Sequence, residues 1–302
     1  MVTALISSKE LKSDALNSII SKKLDNINGV QIALDKKGGV IVYSLDYPTS
    51  VNAMMRALSI ADDAIFVIND EITAIDAELA LAVENSDIDT VIPVKLEYSD
   101  ESSFSKLFGN YKVGRSKIIT MKEAAELPKI ERRSPDFSYV SVDKHFIVKG
   151  IGSVIIGFNL GGTVKKGDKL HLLPTLKDVS IKSIQIMDVD SQTASSGQHV
   201  GLALNNINGE DLSENYAVSS IGSVAEKFSC KFDKSKFYSI ETLADRDLGC
   251  ALLGKNFSVS IEEADTSIRF NRPVPKIGGK HLIMDASLSV GKNRVVGSFE
   301  FA

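Results

Sequence analysis

The chain has 302 residues, 43% of them hydrophobic and 25% charged, with a formal net charge of −4. That length accommodates two or three domains, and the composition excludes a collagenous, low-complexity or disordered chain. Residues 1–130 carry 14 Lys/Arg against 19 Asp/Glu, while residues 131–302 are nearly neutral at +1, so the acidic front half is a poor surface for wrapping nucleic acid and DNA is not an expected partner.

In chain order, "VTALI" (2–6) reads as a buried strand, and Leu11, Ala15, Ile19 and Leu24 carry helical spacing over 9–24. "VQIAL" (30–34) and "GVIVYSL" (39–45) meet across Asp35–Gly39, which has the chemistry of a hairpin turn, and this pair is expected to form one antiparallel edge. A helix near 50–61, a strand at 64–69, a helix near 72–85 and a strand at 90–96 come next. Strands alternating with helices predict a mostly parallel sheet covered on both faces. The pattern breaks at "LPKIERRSPD" (127–136), and residues 131–136 are expected to be a linker between a domain at 1–130 and the β-rich remainder of the chain. That remainder is made of short β-rich segments punctuated by Gly, Asn and Asp, predicting a barrel over 137–221 and a second over 222–302.

No apolar run approaches membrane-spanning length, and Lys9 and Glu10 lie within ten residues of Met1. Neither a transmembrane helix nor a signal peptide is therefore expected, no membrane is an expected partner, and the expected location is the cytoplasm. Two cysteines, Cys230 and Cys250, offer no disulfide framework, and four scattered histidines show no zinc spacing, so no metal is expected.

The middle segment carries Gly150-Ile151-Gly152-Ser153-Val154 with Gly157, then Gly162-Thr163-Val164 and Gly167-Asp168, then Val179–Gln185 and Gly197–Leu202. Singly these glycines build turns; Gly167 is expected to supply a positive φ and Asp168 to bond the backbone. Together their spacing resembles domain II of the translational GTPases, with its nearest likeness in the elongation factor Tu/SelB-like branch. The C-terminal "RFNRPVPKIGGKHLIMDASLSVGKNRVVGSFEF" (269–301) is similar to the end of domain III in the same factors. "ALSIADDAIFVIND" resembles a stretch of the family's GTP-binding domain. The resemblance implies a P-loop-type α/β domain followed by two β-barrels.

It also says where nucleotide motifs belong, and there this chain departs from the family. The phosphate loop G-x-x-x-x-G-K-(S/T), whose amides cradle phosphate, is replaced after "VTALI" by Ser7-Ser8-Lys9-Glu10-Leu11-Lys12-Ser13-Asp14. Both glycines are gone, Ser13 stands where the lysine belongs, and Asp14 replaces the magnesium-binding Ser/Thr. Lys9 and Lys12 supply charge without the nest of amides. The Asp-x-x-Gly motif reads Asp46-Tyr47-Pro48-Thr49, with Ser50 in place of the histidine that positions water. The guanine motif Asn-Lys-x-Asp reads Lys95-Leu96-Glu97-Tyr98, and no effector-loop threonine stands between 20 and 44. The expectation is a pseudo-GTPase that holds neither GTP nor magnesium and has no catalytic residue. No alternative catalytic arrangement stands out; Asp62-Asp63 and Asp87/Asp89 read as solvated helix ends.

Three functions compete. In the first, the chain binds tRNA or the ribosome and its factors through domains II and III, where the resemblance puts an acceptor-end pocket on Phe146, Ser153, Ile156, Gln185 and His199. Ile156 replaces a threonine there and Gln185 a glutamate. Phe146 is then a base-stacking aromatic, the plainer alternative being a core aromatic of the barrel. In the second, the chain is a partner-binding scaffold without RNA binding. In the third, it is a GTPase with an unorthodox loop.

Overall fold

The computed structural model describes residues 1–128, 135–244, 246–262 and 266–302. Two compact units result, one holding the N-terminal α/β sheet with the C-terminal barrel, the other holding the middle β domain.

The N-terminal elements are β1 (Val2–Ile6), α1 (Ser13–Ile19), β2 (Ile20–Ile27), β3 (Val30–Asp35), β4 (Val40–Ser44) and α2 (Asn52–Ile60). They continue with β5 (Asp63–Ile68), α3 (Ala74–Glu84), β6 (Thr90–Lys95), α4 (Glu101–Phe108), β7 (Ile119–Thr120) and α5 (Met121–Glu126). The sheet runs β2-β3-β4-β1-β5-β6-β7. β4, β1, β5, β6 and β7 pair in parallel, as βαβ crossovers require. β1 and β5 are buried along their whole length, the mark of strands covered on both faces. Leu5, Ala33, Ile41, Tyr43, Ile65, Val67 and Val94 form one core, on which Ile19 of α1 and Met121 and Ala124 of α5 pack.

Here the structure corrects the sequence. The helix expected over 9–24 stops at Ile19, and Ile20–Ile27 instead pair antiparallel with β3 through two register shifts. Helical spacing persists only as far as Ile19; beyond it, the hydrogen-bonding edge of β3 recruits the segment, and tertiary pairing overrides local preference. The hairpin of β3 and β4 is consequently not the edge: β4 joins β1 inside the sheet and β2 is outermost. Asp63 is not a solvated helix end but the buried first residue of β5. Asp62 accepts from the Val2 amide at 2.7 Å, and Asp87 accepts from the Lys280 amide at 3.1 Å. The linker expected at 131–136 lies outside the described residues over 131–134; Pro135 and Asp136 belong to no helix or strand.

The middle domain comprises β8 (Tyr139–Ser141), β9 (Lys144–Val148), β10 (Gly152–Phe158), β11 (Val164–Lys165), β12 (Lys169–Leu173) and β13 (Asp178–Ile186). β14 (Val189–Ser191), β15 (Thr193–Ala194), β16 (His199–Asn205), α6 (Gly209–Glu214) and β17 (Ala217–Ser219) complete it. The sheet β8-β17-β12-β13-β16-β10-β9 curls round a core of Ile155, Leu172, Ile184, Leu202 and Val218, and a Val140–Asn159 bridge brings its β8 end against the segment after β10. The family-spaced glycines have physical causes. Gly167 has φ +91°, and the Asp168 carboxylate accepts from the Lys165 amide at 2.8 Å to close that turn. A Cβ on Gly157 would come within 1.6 Å of the Ser141 carbonyl oxygen.

The C-terminal strands are β18 (Ala225–Lys234), β19 (Leu248–Leu252), β20 (Lys255–Glu262), β21 (Ser267–Val274), β22 (His281–Asp285) and β23 (Val295–Phe301). They close as β18-β21-β20-β19-β22-β23, which leaves no open edge. Its wall is aromatic: Phe270 lies 6.0–6.1 Å from Phe257, Phe299 and Phe301. At its end the buried Asp285 carboxylate accepts from the Tyr238 hydroxyl at 2.5 Å and from Arg246 Nε at 2.8 Å, with Arg246 Nη2 in ion-pair contact at 2.7 Å. α2 packs on β19 and β20, where Arg56 donates to the carbonyls of Gly254 at 2.8 Å and Ile27 at 3.0 Å.

Candidate functional site

The loop from β1 to α1 occupies the place of a phosphate loop, at the carboxyl end of a central parallel strand. Its side chains are turned to other partners. Ser8 is buried and donates to the Asp76 carboxylate at 2.6 Å, while Asn69, just past β5, donates to both Ser8 (2.7 Å) and Asp76 (3.0 Å). The Lys9 ammonium bonds Asp70 at 2.5 Å; that hydrogen bond holds Lys9 above the usual lysine range and Asp70 below the usual carboxylate range. Ser7 donates to the Lys9 carbonyl at 2.8 Å. Lys12 sits at the start of α1 without a side-chain cap, and Ser13 and Asp14 form the exposed first turn of a helix only seven residues long. Asp76 also accepts from Thr73 in a capping box that starts α3, a pattern legible as Thr-x-x-Asp ahead of an apolar run.

The Asp46-Tyr47-Pro48-Thr49 segment comes directly after β4. Asp46 and Thr49 are more open than Tyr47 and Pro48, which are gripped from two sides. Tyr47 donates to Glu78 of α3 at 2.9 Å. Arg294, two residues ahead of Val296 in the C-terminal barrel, donates to the Pro48 carbonyl at 2.8 Å and lies 5.6 Å over the Tyr47 ring. Burial pushes the Tyr47 hydroxyl up, with the Glu78 carboxylate adding to it. Burial works against the Arg294 charge, but Glu78 more than offsets this and the guanidinium titrates above its ordinary range. At the guanine-motif positions, Lys95 bonds Glu101 at 2.9 Å and Tyr98 is exposed. The loop and switch positions thus come together at one end of the sheet, whereas the engagement of Tyr47 by Glu78 and Arg294 gave no signal in the sequence.

On the middle domain, strand register decides which expected pocket residues share a surface. Ile156 lies opposite Gly201, and Gly201 opposite Gln185; His199 lies opposite Phe158, and Phe146 opposite Val154. Since registered partners and alternate residues share a face, Phe146, Ile156, Gln185 and His199 all lie on the face away from the core. Gly201 leaves the row open, with the nearest atom to a Cβ there being Gln185 Cβ at 3.9 Å. Ser153 takes the opposite face: it is buried and donates to the Ile207 carbonyl at 3.1 Å. Phe146 is 42% exposed, so the core-aromatic alternative is corrected; β9 is an edge strand whose outer side chains face solvent. The His199 ring packs 5.0 Å from Phe158, and Gln185 donates to Asp190 at 2.9 Å.

The architecture is an α/β domain followed by two β domains, the second of them a closed barrel. Residues 152–214 match the family described as elongation factor Tu domain 2. Over 179 residues, 58% of each chain, the protein is 31% identical to the uncharacterised protein MJ0325 of Methanocaldococcus jannaschii. Over 83 residues, 28% of this chain and 18% of the relative, it is 36% identical to the selenocysteine-specific elongation factor of that organism. In fold it is similar to elongation factor SelB from Methanococcus maripaludis bound to a GTP analogue, with TM-score 0.76 and 17% identity over 99% of this chain and 78% of that one. Within its middle domain the chain is thus similar in sequence to elongation factor Tu domain 2, and over 83 residues to a selenocysteine-specific elongation factor. The matched segments cover 58% and 18% of the two relatives' lengths, and the likeness to the solved structure is one of fold. Among the described residues, no cluster of His, Cys, Asp or Glu is placed to hold a metal ion, and no helix is long and apolar enough to cross a membrane.

Proposed function

We propose that this chain is a nucleotide-independent relative of the SelB-like elongation factors, which has lost GTP binding and hydrolysis and acts in the cytoplasm by holding tRNA or a component of the translation machinery through its β domains. The loop after β1 carries this reading. Phosphate binding in this fold needs a nest of free amides, a lysine and a magnesium-binding hydroxyl. Here the loop has no glycine, Ser8 and Lys9 are committed to Asp76 and Asp70, and a carboxylate, Asp14, stands where the metal's hydroxyl belongs. The residues present do not fit GTP and magnesium. Without them the chain supports no hydrolysis step.

Calorimetric titration of the full chain with GTP and GDP in the presence of magnesium tests this. No binding in the micromolar range is expected; tight, magnesium-dependent GTP binding overturns the reading and restores a GTPase with an unorthodox loop. The RNA half rests on the shared outer face of Phe146, Ile156, Gln185 and His199, and is tested by retention of tRNA at low salt. A partner-binding scaffold without RNA binding is the second reading, favoured by the acidic charge of residues 1–130. It takes over if no tRNA is retained.

A further inference from the structure

The middle domain leaves one strand edge open. β9 stands last in its sheet, paired with β10, and Lys144, His145, Phe146 and Ile147 are all exposed. Among the described residues no strand pairs its other side. Phe146 and Ile147 are 42% and 60% exposed, and an exposed apolar edge of this kind is a template for another strand. Backbone direction along β9 alternates. The Ile156 carbonyl accepts from the Asp143 amide at 2.8 Å, and the Phe158 amide donates to the Ser141 hydroxyl at 3.0 Å. The even-numbered residues of β10 therefore turn their backbone toward the side where β8 and β9 lie. In register with them stand Lys144, Phe146 and Val148. Those three exchange bonds with β10, and the amides and carbonyls of His145 and Ile147 point off the open edge.

We propose that β9 pairs antiparallel with β9 of a second copy of this chain, joining two middle-domain sheets through a symmetric dimer whose two-fold axis passes Phe146. A symmetric interface must be complementary to itself, and this edge is. With the axis at Phe146, His145 of each copy lies opposite Ile147 of the other, so every outward-pointing amide and carbonyl of the two edges finds a partner. An axis at His145 would set Ile147 against Asp143, whose amide is already given to Ile156. An axis at Ile147 would set His145 against Lys149, which lies outside the strand. At the chosen axis the two Phe146 rings meet as a cross-strand aromatic pair. Asp143 of one copy comes alongside Lys149 of the other at both ends, and this charge complementarity favours a second copy over an unrelated strand. The dimer goes beyond the translation-factor reading and does not depend on nucleotide or RNA.

The test uses the full chain free of nucleic acid. Cys230 and Cys250 are both buried, so a thiol added at the surface reports alone. Phe146→Cys places two thiols on the axis with their Cα atoms about 4.5 Å apart, inside the span of a disulfide. Under mild oxidation this variant should pass to a covalent dimer, whereas Val189→Cys, 67% exposed on β14, should stay monomeric. Ile147→Pro removes an outward amide from each copy and no bond to β10, a place where an edge strand accepts proline. In the Phe146→Cys background it should abolish the crosslink and leave the melting temperature near that of its parent. Sedimentation velocity of the wild type should show a monomer–dimer equilibrium that Ile147→Pro shifts to monomer. If Ile147→Pro does not fold, Lys149→Glu, which sets a like charge beside Asp143, should slow the crosslink instead. The proposal is overturned if Phe146→Cys crosslinks no faster than Val189→Cys, or if Ile147→Pro crosslinks as its parent does. It is also overturned if the wild type sediments as a monomer at every concentration, including the case in which the edge takes up an unrelated peptide strand.

Discussion

Glu78 and Arg294 are 216 positions apart in the sequence and form a buried ion pair, Nη2 to Oε1 2.6 Å, with side chains 4% and 3% exposed. Arg294 also contacts the carboxylate through Nε at 3.0 and 3.1 Å and through its own amide at 2.8 Å. The pair joins α3 to the C-terminal barrel and clamps Tyr47-Pro48 between them. Removing one partner leaves the other charge buried and uncompensated, which typically costs about 3–5 kcal/mol. Glu78→Gln and Arg294→Met should each destabilise the fold by about that much in urea unfolding. The double variant Glu78→Met/Arg294→Met should recover part of the loss.

Because that clamp holds the segment at the family's switch position, domain arrangement should not respond to nucleotide. Switching requires a ligand with different interaction energies in two states, and γ-phosphate contacts supply that difference in GTPases. Small-angle scattering curves with and without a non-hydrolysable GTP analogue should superimpose. A change in radius of gyration on adding the analogue would contradict both this expectation and the reading of the loop.

Asp63 makes stability depend on pH. Burial, with the adjacent Asp62 charge adding to it, raises its folded-state pKa from 3.8 to about 6, against a hydrogen bond from Thr3 that lowers it. Below about pH 4 the carboxyl is protonated whether the chain is folded or not, and it has no effect. Between about pH 4 and 6 the unfolded chain ionises first, so stability falls as pH rises, by about 3 kcal/mol once pH exceeds the folded value. Asp63→Asn should therefore be more stable than wild type at pH 7–8, and the two should converge near pH 4. Urea midpoints across that range decide it; a constant difference would show the effect is not titration.

Phe146 stands on the outer face of an edge strand, so its removal should cost little stability, well under the roughly 3–5 kcal/mol of a core Phe→Ala. If the face stacks on a terminal base, worth about 1–3 kcal/mol, Phe146→Ala should weaken tRNA retention about ten-fold or more with an unchanged melting temperature. Wild-type binding should also fall steeply with salt.

Features that local chemistry encodes were legible in the order of residues. Glycine spacing around Gly157 and Gly167 identified the middle domain, because a clash with the Ser141 carbonyl and a positive φ both disfavour any side chain there. The alternation of apolar strands and amphipathic helices set the class of the front domain. The replacement of loop glycines by Ser7–Lys12 was legible as lost amide-nest geometry. Tertiary structure alone decided the rest, since each remaining question turned on a partner far along the chain. Residues 20–27 are a strand because β3 offers an unpaired edge, against their continuation of a helical pattern. Asp63 is buried because β5 enters the sheet there, and Ser153 parts from Phe146, Ile156, Gln185 and His199 because a strand's period of two puts neighbours on opposite faces. Arg294 and Glu78 find each other only once the C-terminal barrel packs on α2 and α3. Periodicity is a property of neighbours; burial, register and ion pairing belong to segments that meet only when the chain has folded.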